Sequence, residues 1–133
     1  MMAMEQHKVR EFHEAMGHPA ADSPTLIPED RVILRHALIE EELSEYVVAA
    51  LDGDMPGIAD ALADMLYVVY GTAVEHGIRI APIFAAVHDA NMSKLDENGE
   101  PVPHPYVPGK IGKSTRYREP TADIEAELEA QGW

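Results

Sequence analysis

Glu40-Glu41-Glu42-Leu43-Ser44-Glu45 sits inside an otherwise apolar helical pattern and is answered further along by Asp60-Ala61-Leu62-Ala63-Asp64. On a helix, Glu41 and Glu45 lie one turn apart, as do Glu42 and Glu45. The positions Leu34, Leu38, Glu42, Glu45 and Ala49 step by four, four, three and four, which is one helix face. Glu42 and Glu45 therefore stand where a core would take leucine. Asp64 does the same on the next helix, between Ala61 and Val68. Carboxylates packed together away from water repel each other, at a cost of several kcal/mol unless a positive group neutralises them. Neither stripe, read this way, carries Lys or Arg. A hard divalent cation is the economical neutraliser, and Mg²⁺ prefers oxygen ligands and phosphate co-ligands. Glu40 reads as an ordinary solvated charge. The pattern points to a helical, metal-dependent, phosphate-handling enzyme.

The rest of the chain extends the helical reading. Residues from about Glu5 to Met16 have helical periodicity and stop at Gly17. Pro28 suits a first helical turn, with Glu29 and Asp30 complementing the dipole, and this helix runs to about Leu51. Asp54 can cap the next helix, with Pro56 in its first turn and Gly77 at its end. Pro82 opens a third strong helix that reaches roughly Asn91. From Asp96 to Pro120 the chain is rich in Pro and Gly without a period, and Thr121 starts a short acidic helix ending near Gln131. There is no convincing strand. The expected fold is all-α, an antiparallel helical bundle with a long Pro/Gly-rich loop near the C-terminus.

At 133 residues the chain is expected to be a single domain, 1–133. Two Phe and one Trp leave a core of mostly Leu, Ile, Val, Ala and Met, modest enough to make self-association plausible. The net charge of −14 repels nucleic-acid backbone and anionic membrane, so neither is expected as a partner. It also disfavours a polyphosphate unless metals and a local basic patch reverse the field. The absence of cysteine excludes disulfides and thiolate zinc sites. The N-terminus is polar and no apolar run approaches membrane-spanning length, which makes the cytoplasm the expected compartment.

Spacing decides several smaller motifs. Asn91 and Lys94 lie three apart at the end of the third helix; they read either as a ligand clamp or as a lysine on the helix dipole. Gly109-Lys110-Ile111-Gly112-Lys113-Ser114-Thr115-Arg116 is the one basic cluster. It is no P-loop, because Val107 stands where that motif needs its first glycine and no strand precedes it. A lid closing on phosphate is the sharper reading of Lys110, Lys113 and Arg116. His13 and His18 are five apart, too far round a helix for a zinc-protease face. Asp96-Glu97-Asn98-Gly99 begins like a calcium loop, but its glycine comes at the fourth position rather than the sixth.

With these motifs in view, the chain resembles the all-α nucleoside triphosphate pyrophosphohydrolases, the superfamily of MazG and phosphoribosyl-ATP pyrophosphohydrolase. That family carries Glu-Glu-x-x-Glu on one helix and Glu-x-x-Asp on the next. Glu41, Glu42 and Glu45 match the first motif, and Asp64 the final aspartate of the second. Residues 63–73, Ala-Asp-Met-Leu-Tyr-Val-Val-Tyr-Gly-Thr-Ala, are similar to the second helix of MazG-like members, and Val87 to Lys94 to the segment whose Asn and Lys approach substrate. The glutamate of Glu-x-x-Asp is Ala61 here, so Asp60, four residues before Asp64, is the candidate substitute.

The resemblance implies hydrolysis of a (deoxy)nucleoside triphosphate, such as dGTP or dUTP, to the monophosphate and pyrophosphate. It implies Mg²⁺, with Mn²⁺ as a substitute, on Glu42, Glu45 and Asp64, assisted by Asp60. Glu41 would be the general base. Lys94, Lys110, Lys113 and Arg116 would hold phosphates, while Asn91 and Tyr67 would meet sugar or base. It also implies a homodimer or homotetramer. Two other readings stay open: a non-catalytic nucleotide-binding module on the same fold, and phosphoribosyl-ATP pyrophosphohydrolase proper.

Overall fold

Short-range chemistry sets the helix boundaries. The computed structural model describes residues 2–133. It contains helices α1 (Met4–Met16), α2 (Glu29–Leu51), α3 (Met55–His76), α4 (Ile80–Met92) and α5 (Thr121–Gln131). Among the described residues there is no strand, only an isolated antiparallel bridge between Pro103 and Ile111. The Asp54 carboxylate caps α3 by accepting the Gly57 N–H at 3.0 Å, and Pro56 occupies the first turn, where no N–H is needed. Gly77 ends α3 at φ 68°, and a Cβ there would also strike the Ser23 carbonyl. Pro28 sits at the N-cap of α2, one residue outside the first turn expected for it. Helix α4 starts at Ile80, two residues before Pro82.

The chain divides into two compact units, one of residues 2–80 with 131–133 and one of residues 81–130. In the first, a turn at Asp52–Asp54 reverses the chain so that α2 and α3 pack antiparallel, and α1 packs on α3 as well. The segment after α1 runs along the end of α3, with Ala21 N–H donating to Val74 O (3.0 Å) and Thr25 N–H to His76 O (2.8 Å). The buried Gln6 amide closes the unit, donating to Ile78 O at 2.7 Å and accepting from Ile80 N–H at 3.1 Å.

The buried apolar residues of this unit are Val9, Ala49, Ala61, Ala73 and Val74. Of the expected core residues Leu, Ile, Val, Ala and Met, one copy of the chain fully buries only Val and Ala among the described residues. Small residues let the helix backbones approach closely, while large ones such as Ile33 (61% exposed), Leu43 (52%) and Leu51 (84%) face outward. Helix α3 corrects a second expectation: its 22 residues contain an 18-residue stretch of mean hydropathy 1.3, long and apolar enough to cross a membrane. It is also the helix against which both α1 and α2 pack.

In the second unit, residues 93–120 form no helix. The Pro103–Ile111 bridge is flanked by Gly112 N–H to Val102 O (2.6 Å) and His104 N–H to Lys110 O (3.0 Å). This backbone is incompatible with a strand-to-helix phosphate loop, in agreement with rejection of the P-loop.

Candidate metal and substrate site

Because α2 and α3 run antiparallel, each level of one faces a defined level of the other. Glu42 and Glu45 meet Asp64, and each of the three offers a carboxylate oxygen within 4.8 Å of the others. Burial, then repulsion from and hydrogen bonding to Glu45, push the Glu42 carboxyl up to about 7; Asp64 and Glu41 add smaller repulsions. Asp64 is raised as well, by burial first and then by Asp60 and Glu45. Glu42 Oε2 is buried without a hydrogen-bond partner. A cavity of about 400 Å³ opens beside Glu45, with Asp52, Asp54 and Asp60 among its walls. Oxygen donors, mutual repulsion and an orphaned buried oxygen together fit a hard divalent cation held by Glu42, Glu45 and Asp64.

Of the sequence candidates, this places Glu42, Glu45 and Asp64 in one cluster. Glu41 and Asp60 are exposed neighbours that act on Glu42 and Asp64 through charge. Ala61 is 2% exposed in the seam. Tyr67 turns toward α1: its ring packs edge-on against Phe12 at 5.6 Å. There it lines a groove of about 430 Å³ with Lys8, Leu66 and Tyr70.

One reading of the α2 stripe needs correction. Leu34 is 41% exposed, whereas Arg35 is 6% exposed and points into the seam. The face turned to α3 runs Arg31, Arg35, Leu38, Glu42, Glu45, Ala49, with Glu45 exposed, so basic residues do lie on it. They serve a different carboxylate. Glu75, fully buried on α3, accepts from Arg31 Nε at 2.8 Å and Nη2 at 2.9 Å, and pairs with Arg35 Nη1 at 3.1 Å. Arg35 also donates to Thr72 Oγ1 (3.1 Å) and Val68 O (2.8 Å). Gly71 makes this possible, since a Cβ there would collide with the Arg35 guanidinium and come within 2.8 Å of His13 Nε2. The spacing of Arg31 and Arg35 carried the signal; Glu75, a lone acid near the end of an apolar helix, gave none.

The two histidines set aside as too far apart do meet. Gly17 turns the chain out of α1, and the His13 and His18 rings lie 5.5 Å apart, edge to face. His13 Nδ1 bonds Pro19 O at 2.9 Å, and burial lowers its pKa. The calcium-like Asp96 instead closes a turn, its Oδ1 accepting from Asn98 and Glu100 N–H, both at 2.9 Å.

The remaining candidates lie in the second unit. Asn91, Lys94, Leu95, Pro101 and Ile111 wall a cavity of about 480 Å³. Lys94 Nζ and Lys113 Nζ lie 6.0 and 4.7 Å from the centroid of the Tyr117 ring. Lys110 is exposed, and Arg116 Nη1 reaches Asp96 O at 3.4 Å. Tyr117 was not singled out from the sequence, because a tyrosine in an aperiodic loop has no pattern to mark it.

Comparison with known proteins fits this geometry. The family model for phosphoribosyl-ATP pyrophosphohydrolase matches residues 9–91. A solved protein of Exiguobacterium sp. 255-15, assigned as an NTP pyrophosphohydrolase, aligns over 98% of this chain and 97% of its own, with a TM-score of 0.56 and 29% identity. An uncharacterized protein of Acanthamoeba polyphaga mimivirus is 34% identical over 97 residues, which is 70% of this chain. The match spans only 36% of the length of that viral relative.

Proposed function

The chain belongs to the phosphoribosyl-ATP pyrophosphohydrolase family, within the all-α NTP pyrophosphohydrolases, and from that premise we propose that it cleaves a (deoxy)nucleoside triphosphate to the monophosphate and pyrophosphate. The proposed substrates are pool nucleotides such as dGTP or dUTP. The observation that carries the reading is the unneutralised cluster of Glu42, Glu45 and Asp64.

Those three residues would hold Mg²⁺, with Asp60 close enough to add its charge. The bound ion would supply neutralisation of the phosphate oxygens and polarise the phosphorus centre. Glu41, outside the cluster and exposed, keeps a carboxylate free to orient a water and take its proton. If the water oxygen bonds to the α phosphorus, the bond from that phosphorus to the α–β bridging oxygen breaks and pyrophosphate leaves with the electron pair. If it bonds to the β phosphorus, the other bond of the bridge breaks and the monophosphate leaves with the pair, the water oxygen staying in pyrophosphate. By the resemblance, Lys94, Lys110, Lys113 and Arg116 would offer N–H donors to the outer phosphates and Asn91 would meet sugar or base; Tyr67, implied in the same role, faces the α1 groove beside Phe12 instead.

The exposed apolar side chains on α2 and α3, including Ile33, Leu43, Leu51 and Leu66, support assembly as a homodimer or homotetramer. Ala61, where the family has glutamate, favours a second reading, a nucleotide-binding module without turnover.

A product-resolved assay of the eight common nucleotides and phosphoribosyl-ATP, with Mg²⁺ or Mn²⁺, tests the proposal. The expected products are one monophosphate and pyrophosphate, with no turnover in chelator. Orthophosphate as the only inorganic product would overturn it. Tight nucleotide binding by calorimetry without turnover would establish the module instead.

A further inference from the structure

The proposed phosphate ligands are not equivalent, and Tyr117 is what separates them. Two serines clasp the loop to the end of α4. Ser114 N–H donates to Lys94 O at 3.1 Å, Ser114 Oγ donates to Ser93 O at 2.9 Å, and Arg118 N–H donates to Ser93 Oγ at 2.9 Å. Tyr117 N–H closes the turn on Ser114 O at 3.2 Å. The clasp fixes where the Tyr117 ring stands relative to Lys94, and the ring gathers two ammonium groups, Lys113 Nζ at 4.7 Å and Lys94 Nζ at 6.0 Å from its centroid. Among the described residues, neither ammonium has a carboxylate within ion-pair distance. In a chain of net charge −14 that pairing is conspicuous. Two cations brought together repel; the electron-rich ring face offsets part of the repulsion, and an anion that accepts from both relieves the remainder. Lys110 and Arg116 do not share the ring, and Arg116 is turned to the Asp96 carbonyl.

We infer that Tyr117 is a positioning residue that joins Lys94 and Lys113 into a single seat for a polyphosphate, the part of the substrate that leaves as pyrophosphate. The inference rests on the pyrophosphohydrolase reading for its substrate, but the seat itself is a property of residues 93–118. A chain of two or more phosphates suits it better than one, because its oxygens can reach both ammonium groups at once.

The test uses the full chain and inorganic pyrophosphate as probe, in chelator, so that it does not depend on turnover. Pyrophosphate should protect Lys94 and Lys113 together from acetic anhydride, read by peptide mass spectrometry, and leave Lys110 labelled. Tyr117→Phe keeps the ring and should bind as the parent does. Tyr117→Leu should weaken pyrophosphate binding about 3- to 10-fold, the range expected for lost cation–π contacts. Its KM for nucleotide should rise by a similar factor with kcat little changed. Protection of only one lysine would overturn the inference, as would unchanged binding by a folded Tyr117→Leu or an equal loss in Tyr117→Phe. If Tyr117→Leu does not fold, the labelling pattern of the parent still decides. Absence of nucleotide turnover with both lysines protected would refute the proposed reaction and leave the seat standing.

Discussion

Glu75 and Glu42 are carboxylates turned into the same α2/α3 seam, yet their surroundings are opposite. Glu75 is fully buried and held by two guanidinium groups from the facing helix, at 2.8 and 3.1 Å. Seven residues along α2 from Arg35, Glu42 meets only other acids and keeps an orphaned buried oxygen. The first arrangement supplies its own counter-charges, two arginines to one carboxylate, and acts as structure. Hydrogen bonding to Glu75 raises Arg31, whereas burial lowers Arg35 against the opposing pull of the same carboxylate. On the proposed reading a cation completes the second, and its folding cost is retained as affinity for metal. One helix pair thus divides its charged levels between stability and ligand binding, and the difference is whether the facing residue is arginine or another carboxylate.

Exchanging the roles would break that comparison, and the largest effect should be on turnover. Asp64→Asn or Glu45→Gln removes a charge from the cluster at nearly constant shape. Activity should fall by about 10³-fold, the scale of losing a group that organises transition-state charge. The fold should survive, with circular dichroism unchanged and, in chelator, a melting temperature equal to or above that of the parent. Parent-like activity in either variant would place the metal elsewhere. Glu75→Gln should do the reverse. It strands the buried Arg35 guanidinium and the partly exposed one of Arg31, and should cost about 3 kcal/mol of stability by denaturant titration. Any residual folded enzyme should keep its metal dependence. If Glu75→Gln is thermally silent, the ion-paired level contributes no stability and the contrast fails.

The acidic level should also have its own pH signature. Glu42 titrates near 7 in the folded chain, above its ordinary value of 4.5. A carboxyl with a raised folded pKa binds more protons folded than unfolded between those values. Metal-free protein should therefore gain stability as pH falls from about 7 toward 4.5, by about 2 kcal/mol, and lose it as pH rises. Saturating Mg²⁺ should flatten the dependence by favouring the ionised form, and Glu42→Gln should reduce it in chelator. A metal-free melting temperature independent of pH over that window, read by calorimetry, would contradict a repulsive cluster.

The legibility of the molecule from its sequence divides along the same line. Helix ends marked by Gly17, Asp54 and Gly77 were visible because caps and left-handed glycines are local. Glu42, Glu45 and Asp64 were visible because a charge that interrupts an apolar period is itself a signal. The arginine level is hidden from periodicity because the apolar Leu34 stands one position from Arg35 and fits the same stripe. Glu75 and Gly71 could not be found by periodicity, since their importance comes from residues on other helices. Tyr117 depends on a loop whose course is set by the Ser93 and Ser114 hydrogen bonds, and aperiodic sequence carries no trace of such a path. The large outward-facing apolar residues were read as core because hydropathy marks burial without saying whether a second copy is required for it.

The smallest expected effect lies at the edge of the acidic level, at Asp60, the proposed substitute for the glutamate absent at Ala61. Asp60 is exposed, shares the cavity wall with Glu45, and raises Asp64 by repulsion. An exposed acid one turn from a ligand attracts a cation through well-screened charge or an intervening water, so its contribution is modest. Asp60→Asn should raise the Mg²⁺ concentration for half-maximal rate by about 2- to 5-fold, a change worth less than about 1 kcal/mol. Glu40→Gln, an exposed charge on the same acidic run, should leave it unchanged. Restoring the family residue by Ala61→Glu in the Asp60→Asn background tests the substitution directly. Ala61 is 2% exposed, so in chelator the added carboxylate should destabilise the chain by about 1–3 kcal/mol through crowding and burial. With Mg²⁺ the same group should gain a partner, and the half-maximal concentration should return toward the parent value. Rescue in metal together with destabilisation in chelator would identify the Asp60–Ala61 pair as a displaced ligand; an Asp60→Asn titration that overlays the parent would reduce Asp60 to an ordinary first-turn acid.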